Sequence, residues 1–396
     1  MNSDDPSISP ASVTAVASNT DTSPETIGSS FPTPVAPEPA ETRLLKQALF
    51  GPQGLRVGWS VALFLILTLL MMGLFGAGAS LLVRKVLHFK EHGFTPLNAV
   101  LQEVIQFAGI LGAAFVLSLI ERRKILDYNL RGPRRGLHFL VGAGGGFLAL
   151  SALVGALHWG GWLKFGAVSL SGAAILQFGA LWGLSFFLTG LAEEGSVRCY
   201  LLFTLTRGIN YWWALGMTAS MSLSCLYFVH NEGAWGVYIM SALGLIPCLL
   251  LHLRRSQAAG FWQAAWVTST FFGFIHTSNS GETWIGIFSA AAIGFVFCIS
   301  IRVTGSAWWA IGFHAAWDWA QTFFYGTADS GFQPQGHFLT TNPAGQVFWS
   351  GGTDGPEGSV LVIPIVLLTL IALIVVYGRK PPALESPSTV AQPQLS

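Results

Sequence analysis

Long apolar runs separated by short polar or basic stretches fill the chain from about residue 58 to residue 377. Runs of the length a bilayer core demands, roughly 20 residues, lie near 58–82, 98–120, 137–157, 171–206, 211–230, 235–253, 261–276, 284–301, 305–325 and 359–377. The pattern predicts an all-α fold, a polytopic transmembrane helical bundle of about ten spans. The run 171–206 exceeds what one span needs, which predicts a broken or tilted helix. Residues 1–42 are rich in Ser, Thr, Pro, Ala and acidic residues without apolar periodicity, the pattern of a disordered tail. They hold no basic stretch followed by an apolar one, so they do not read as a signal peptide. Residues 327–358 form a loop rich in Gly, Pro, Asn and Asp, and 379–396 a short disordered polar tail. The transmembrane domain is thereby placed at 43–378.

Composition changes this picture little. Apolar residues make up 52% and charged residues only 10%, and mean hydropathy is +0.56. A soluble domain carries about 25% charged residues, so this surface suits lipid rather than water. A net charge of +1 gives no sign of an acidic partner, and no nucleic acid is expected. Cys199, Cys225, Cys248 and Cys298 lie in apolar stretches without a CxxC spacing and read as small buried hydrophobes.

The placement of charge is more informative. With the N-terminus inside, fifteen of the twenty Lys and Arg residues fall in inner loops and four in outer ones, with Arg198 inside a span. That asymmetry predicts both termini in the cytoplasm and an even number of spans.

Ionisable side chains at membrane depth are costly and are functional candidates by default. Glu193, Glu194, Arg198, His276, His314 and Asp318 fall within spans, as does Glu103, whereas His230, Glu232 and Glu282 sit near outer span ends. In Glu193-Glu194-Gly195-Ser196-Val197-Arg198, Glu194 and Arg198 are four apart and share a helix face. A guanidinium can hold a carboxylate by two parallel hydrogen bonds. Glu193 points about 100° away and has no partner at helical spacing, which leaves a desolvated carboxylate suited to general-base work. The same residues could equally serve as an ion-pair lock between helices. Phe272 and His276 share a face in Phe-x-x-x-His, although a lone His there is more often an interhelical hydrogen-bonding residue. In His314-Ala315-Ala316-Trp317-Asp318 the carboxylate can orient the imidazole, or the two can simply join helices.

Depth links the three motifs. Glu193, His276 and His314 lie 14, 16 and 10 residues from the inner ends of their runs, roughly 15–24 Å deep at 1.5 Å per residue. His230 lies nearer the outer edge. A faint echo between Tyr211-Trp212-Trp213-Ala214 and Phe261-Trp262-Gln263-Ala264 keeps His230 open as the alternative to His276.

The order of a paired Glu with Arg, a Phe-x-x-x-His and a His-x-x-x-Asp resembles the CPBP family, which includes the CAAX prenyl endopeptidases of the Rce1 type and bacterial Abi-domain proteins. The resemblance covers roughly residues 171–326, and the flanks look like those of a bacterial branch, which implies a multi-pass protein of a bacterial plasma membrane. It implies an intramembrane glutamic-type endopeptidase without a metal or other cofactor. By the resemblance Glu193 and His276 would activate water, and His314 and Asp318 would bind the oxyanion or steady the site. Glu194 and Arg198, with Phe272, would support it. The substrate would be a membrane-embedded or lipid-anchored peptide or protein. The chain departs from the family at Val197 and Cys199, where Phe and Gly are usual, and at Asp318, where the eukaryotic prenyl proteases often have Asn. Two extra spans, about 211–253, separate the first and second motifs.

Three other readings stand beside it. Two His and a Glu could ligate a catalytic zinc, although no HExxH is present. The polar residues could lock a non-enzymatic scaffold or immunity-type protein. Carboxylates and His at mid-depth also suit an ion-coupled transporter.

Overall fold

The computed structural model describes residues 40–51, 54–82, 94–228, 246, 249–250, 252–254, 259–279, 281–329 and 331–378. The tails 1–39 and 379–396, the apolar run at 235–253 for the most part, His230, Glu232, Cys248 and the outer-loop residues Arg84, Lys85 and Lys90 lie outside the described residues. The chain divides into two compact units, Met1–Lys46 and Gln47–Ser396. Helix α1 (Ala40–Leu49) begins in the first.

The second unit is mostly helical. It contains α2 (Val57–Leu82), α3 (Pro96–Ile120), α4 (Arg135–Trp159) and α5 (Ala173–Glu194). These are followed by α6 (Leu202–Thr206), α7 (Tyr211–Phe228), α8 (Ala259–His276), α9 (Trp284–Thr304), α10 (Trp308–Trp319), α11 (Val347–Ser350) and α12 (Val362–Tyr377). Among the described residues, five helical stretches are long and apolar enough to cross a membrane: α2, α3, α4, the continuous run Ala173–Thr206, and α9. The expected count of about ten is therefore not reached. Helices α7, α8 and α10 form where spans were expected, but they are short or interrupted by polar and small residues. Helix α12 is apolar but only 16 residues long. The chain as a whole is an integral membrane protein. Leu69, Leu70 and Leu74 on α2 are more than 60% exposed, a face that only a lipid tail can cover without cost.

The long run is broken, as its length predicts. Residues Gly195–Leu201 form a π-helical turn between α5 and α6. A second π-turn, Ala320–Phe324, follows α10. Such single turns insert one extra residue and often mark functional sites. Asn129, in the left-handed conformation that Asn tolerates, donates its side-chain amide to the Arg198 carbonyl at 2.8 Å. Its own carbonyl accepts from Ala307 N at 2.9 Å, just before α10.

Helix α10 lies directly on α4. A Cβ at Gly142 or Gly146 would run into the carbonyl oxygen of Trp309 or Phe313, and one at Gly312 into that of Phe139. These small residues let two backbones touch, the usual device for packing helices in lipid. They seat α10 deep in the bundle.

The fold also contains strands that an all-α reading omits. Leu163–Val168 (β3) pairs antiparallel with Leu339–Pro343 (β4), and Phe50–Gly51 (β1) with Gly54–Leu55 (β2). Phe94 bridges Pro334, and Asp354 accepts from the backbone and hydroxyl of Thr283. Thus Phe94, Leu163–Val168 and Thr283, in the segments after α2, α4 and α8, all meet the 327–358 segment. After α3, Glu121 meets Tyr128 and Arg207.

Candidate active site

The first motif sits where α5 enters its π-turn. Glu194 and Arg198 are wholly buried, with Arg198 Nε 3.3 Å from Glu194 Oε2. The contact is through one nitrogen, not the two parallel bonds expected, because Glu194 Oε1 is taken elsewhere. Aromatic faces complete the surroundings of the guanidinium: its carbon lies 4.1 Å from the Phe272 centroid and 5.6 Å from that of Phe297. A desolvated contact of this kind contributes about 2 kcal/mol. Gly294 makes the room, since a Cβ there would strike Arg198 Nη2.

The third motif docks onto the first. His314 Nδ1 lies 2.9 Å from Glu194 Oε1. A carboxylate only accepts, so Nδ1 carries a proton. His314 Nε2 is 3.4 Å from Asp318 Oδ2 and 3.8 Å from Glu193 Oε2. One imidazole therefore joins both neighbouring glutamates and the Asp one turn below it. The Phe297 and Phe272 rings flank it, each with its centroid 6.0 Å away. Glu194 has a double duty that spacing alone does not reveal: one oxygen holds Arg198, the other orients His314.

The second motif closes the group. His276 ends α8, and its Nδ1 lies 2.7 Å from the Phe272 carbonyl. That carbonyl can only accept, so Nδ1–H donates to it, and in the neutral ring Nε2 keeps its lone pair. The Phe272 ring packs edge-on against His276 at 4.7 Å.

Glu193, His276, His314 and Asp318 all line one cavity of about 470 Å³. The Glu193 side chain is 25% exposed while that of its neighbour Glu194 is fully enclosed. Val197, at a position where the family usually has Phe, also lines the cavity. Cys199 is buried in the core behind it, and Cys199, Cys225 and Cys298 are free thiols. Among the described residues no three His, Cys, Asp or Glu side chains are grouped as metal ligands.

The cavity holds residues that the motifs do not include. Glu103 on α3, and Asp329 and Glu357 in the loop beyond α10, line it together with Thr189 and Phe297. Glu103 had a legible signal, a lone carboxylate in an apolar run. Asp329 and Glu357 had none, since they lie in a polar loop where acidic residues are unremarked. Glu282 lies outside the lining and bonds instead to Asn279 at 3.1 Å.

With this geometry in hand, comparison with known proteins is informative. No curated protein and no solved structure matches the chain. The family described as type II CAAX prenyl endopeptidase Rce1-like matches residues 248–320. The matched stretch holds Phe272, His276, His314 and Asp318, and the Glu193–Arg198 motif lies upstream of it. This match supports the assignment of the chain to the Rce1-like proteins, a family of CAAX-type membrane proteases.

Proposed function

We propose that the protein is a metal-independent intramembrane endopeptidase in which Glu193 and His276 activate the attacking water. The observation that carries this reading is the shared cavity of Glu193, His276, His314 and Asp318. Glu193 is the carboxylate left partly free, and His276 offers an Nε2 lone pair once Nδ1 is committed to the Phe272 carbonyl. A water held between them loses a proton to Glu193 as its oxygen bonds to the substrate carbonyl carbon. The oxyanion is stabilised by His314 in its doubly protonated form, with Nδ1–H held by Glu194 and Nε2–H facing the cavity between Glu193 and Asp318. Collapse breaks the C–N bond, and the proton held by Glu193 passes to the leaving amine. Glu194 and Arg198 act by fixing the His314 ring, and Asp318 steadies its second nitrogen. In this role Asp318 works through the imidazole.

The substrate is a membrane-embedded or lipid-anchored peptide or protein, of the CAAX or leader-peptide kind. The test compares the membrane proteomes of cells carrying native protein and Glu193→Gln at equal abundance. Peptides whose processing stops in the variant support hydrolysis. Unchanged processing by both Glu193→Gln and His276→Ala would rule this mechanism out and favour a scaffold.

A further inference from the structure

We propose that the substrate segment entering this cavity carries a basic side chain, a Lys or Arg beside the scissile bond. The inference rests on the peptidase reading of the same cavity and adds a substrate class to it. Five carboxyl groups line the cavity, from Glu103, Glu193, Asp318, Asp329 and Glu357, and among the described residues no Lys or Arg does. The nearest guanidinium, that of Arg198, is wholly buried, engaged by Glu194 and covered by the Phe272 face. Its charge is sealed behind the wall.

The proposed chemistry uses Glu193 and Asp318 and has no role for the other three. Glu103 is the clearest case. It is the single charged residue of α3; its carboxyl group has one hydrogen bond, with Thr189, and its Oε2 is a buried atom without a partner. A carboxylate at membrane depth costs several kcal/mol unless a cation or donors compensate it. Asp329, outside the spanning helices, has its carboxyl pushed up to about 7 by burial and by the neighbouring Glu357 charge. Such a group readily releases its proton when a cation approaches. The apolar walls, including Phe186, Ile293 and Val366, suit the alkyl stem of Lys or Arg while its charged head reaches the acidic end. A neutral side chain would leave the carboxyl groups as they are.

The test uses the full chain in lipid nanodiscs and apolar peptides of about 20 residues. Each carries a hydroxyethylene group in place of one central peptide bond and differs only in the adjacent residue: Lys, norleucine or Glu. The Lys peptide is expected to bind about tenfold more tightly than the norleucine peptide, and the Glu peptide most weakly. Glu103→Gln is expected to bring the Lys-to-norleucine ratio close to one, and Glu103→Asp, which keeps the charge, to retain the preference. Equal binding of Lys and norleucine peptides by the native protein, an unchanged ratio in Glu103→Gln, or binding of none of the three overturns the proposal. Cleavable versions are assayed in parallel. A Lys preference in binding without any hydrolysis would overturn the peptidase reading and leave the cationic occupant standing. Hydrolysis without a Lys preference would do the reverse.

Discussion

Glu121 and Glu193 are both glutamates held by apolar helices, and their surroundings differ in one respect that matters. Glu121, at the end of α3, has a side chain only 2% exposed and receives Ser60 Oγ at 2.7 Å and Arg207, Tyr128 and Tyr200 each at 3.2 Å, with Arg123 3.9 Å away. Every lone pair has a donor, and the network ties α2, α3, the 125–131 loop and the α5–α6 run together. Glu193 has His314 Nε2 at 3.8 Å, and a quarter of its side chain is exposed, in the cavity it lines. A carboxylate saturated with donors has no lone pair left for a substrate water and makes a good joint. One with few donors that faces a cavity keeps its access to water. Under the proposed mechanism, the contrast separates a structural acid from a reactive one within a single chain.

That contrast can be broken experimentally, and the largest expected effect is on Glu193. Glu193→Gln should lower turnover of a confirmed substrate by about 10²–10⁴-fold with the folded fraction unchanged in detergent. If turnover survives, Glu193 is no more reactive than Glu121. Next comes Glu121→Ala, which removes the shared acceptor of Arg207, Ser60, Tyr128 and Tyr200. It should cost about 3–5 kcal/mol in unfolding measurements while leaving turnover per folded molecule unchanged. A variant that folds normally but is inactive would move Glu121 into the site. Gly146→Val forces a Cβ onto the Phe313 carbonyl and should cost about 1–3 kcal/mol. Because His314 is the next residue on α10, activity should fall with stability. Full activity in that variant would show that the α4 contact does not position the ring.

The smallest effect concerns acids of a third kind, in the loops after α8 and α11. Burial, then the Asp354 and Glu357 charges, pushes Glu282 up to about 10. Burial and Glu357 push Asp354 up to about 8. Both groups bind their proton more tightly folded than unfolded, where carboxyl groups titrate near 4. Their contribution to stability is therefore fully present below about pH 4, falls as pH rises through neutrality, and levels off above the folded values. Thermal melts between pH 5 and pH 8 should show the midpoint falling, with a shallower slope in Glu282→Gln. A midpoint that rises over that range would contradict the assignment.

Much of this was legible before any coordinates. The apolar runs predict helices at α2, α3, α4, α5, α9 and α12, and the excess length of 171–206 marks the interruption now seen as a π-turn. Helix periodicity brings Glu194 to Arg198 and His314 to Asp318 because those pairs are local. The strands β3 and β4 were not legible, since Leu163–Val168 and Leu339–Pro343 are far apart in the chain and each is too short to show a period. Of the ten expected spans, five are matched by helices long and apolar enough to cross a membrane among the described residues, because helix length is set by where turns and polar residues interrupt an apolar run.

The sequence by itself determined the solvent this protein lives in, the order of its three motifs and the local carboxylate pairs, all set by composition and by the 3.6-residue period. Only the tertiary structure decided that the second oxygen of Glu194 belongs to His314. It also decided that Arg198 lies under the Phe272 ring, and that Glu103, Asp329 and Glu357 share the cavity with Glu193. These contacts join residues dozens to hundreds of positions apart. They exist because Gly142, Gly146, Gly294 and Gly312 let helices and a guanidinium approach more closely than any side chain would permit, a consequence of packing that no single helix carries in its own pattern.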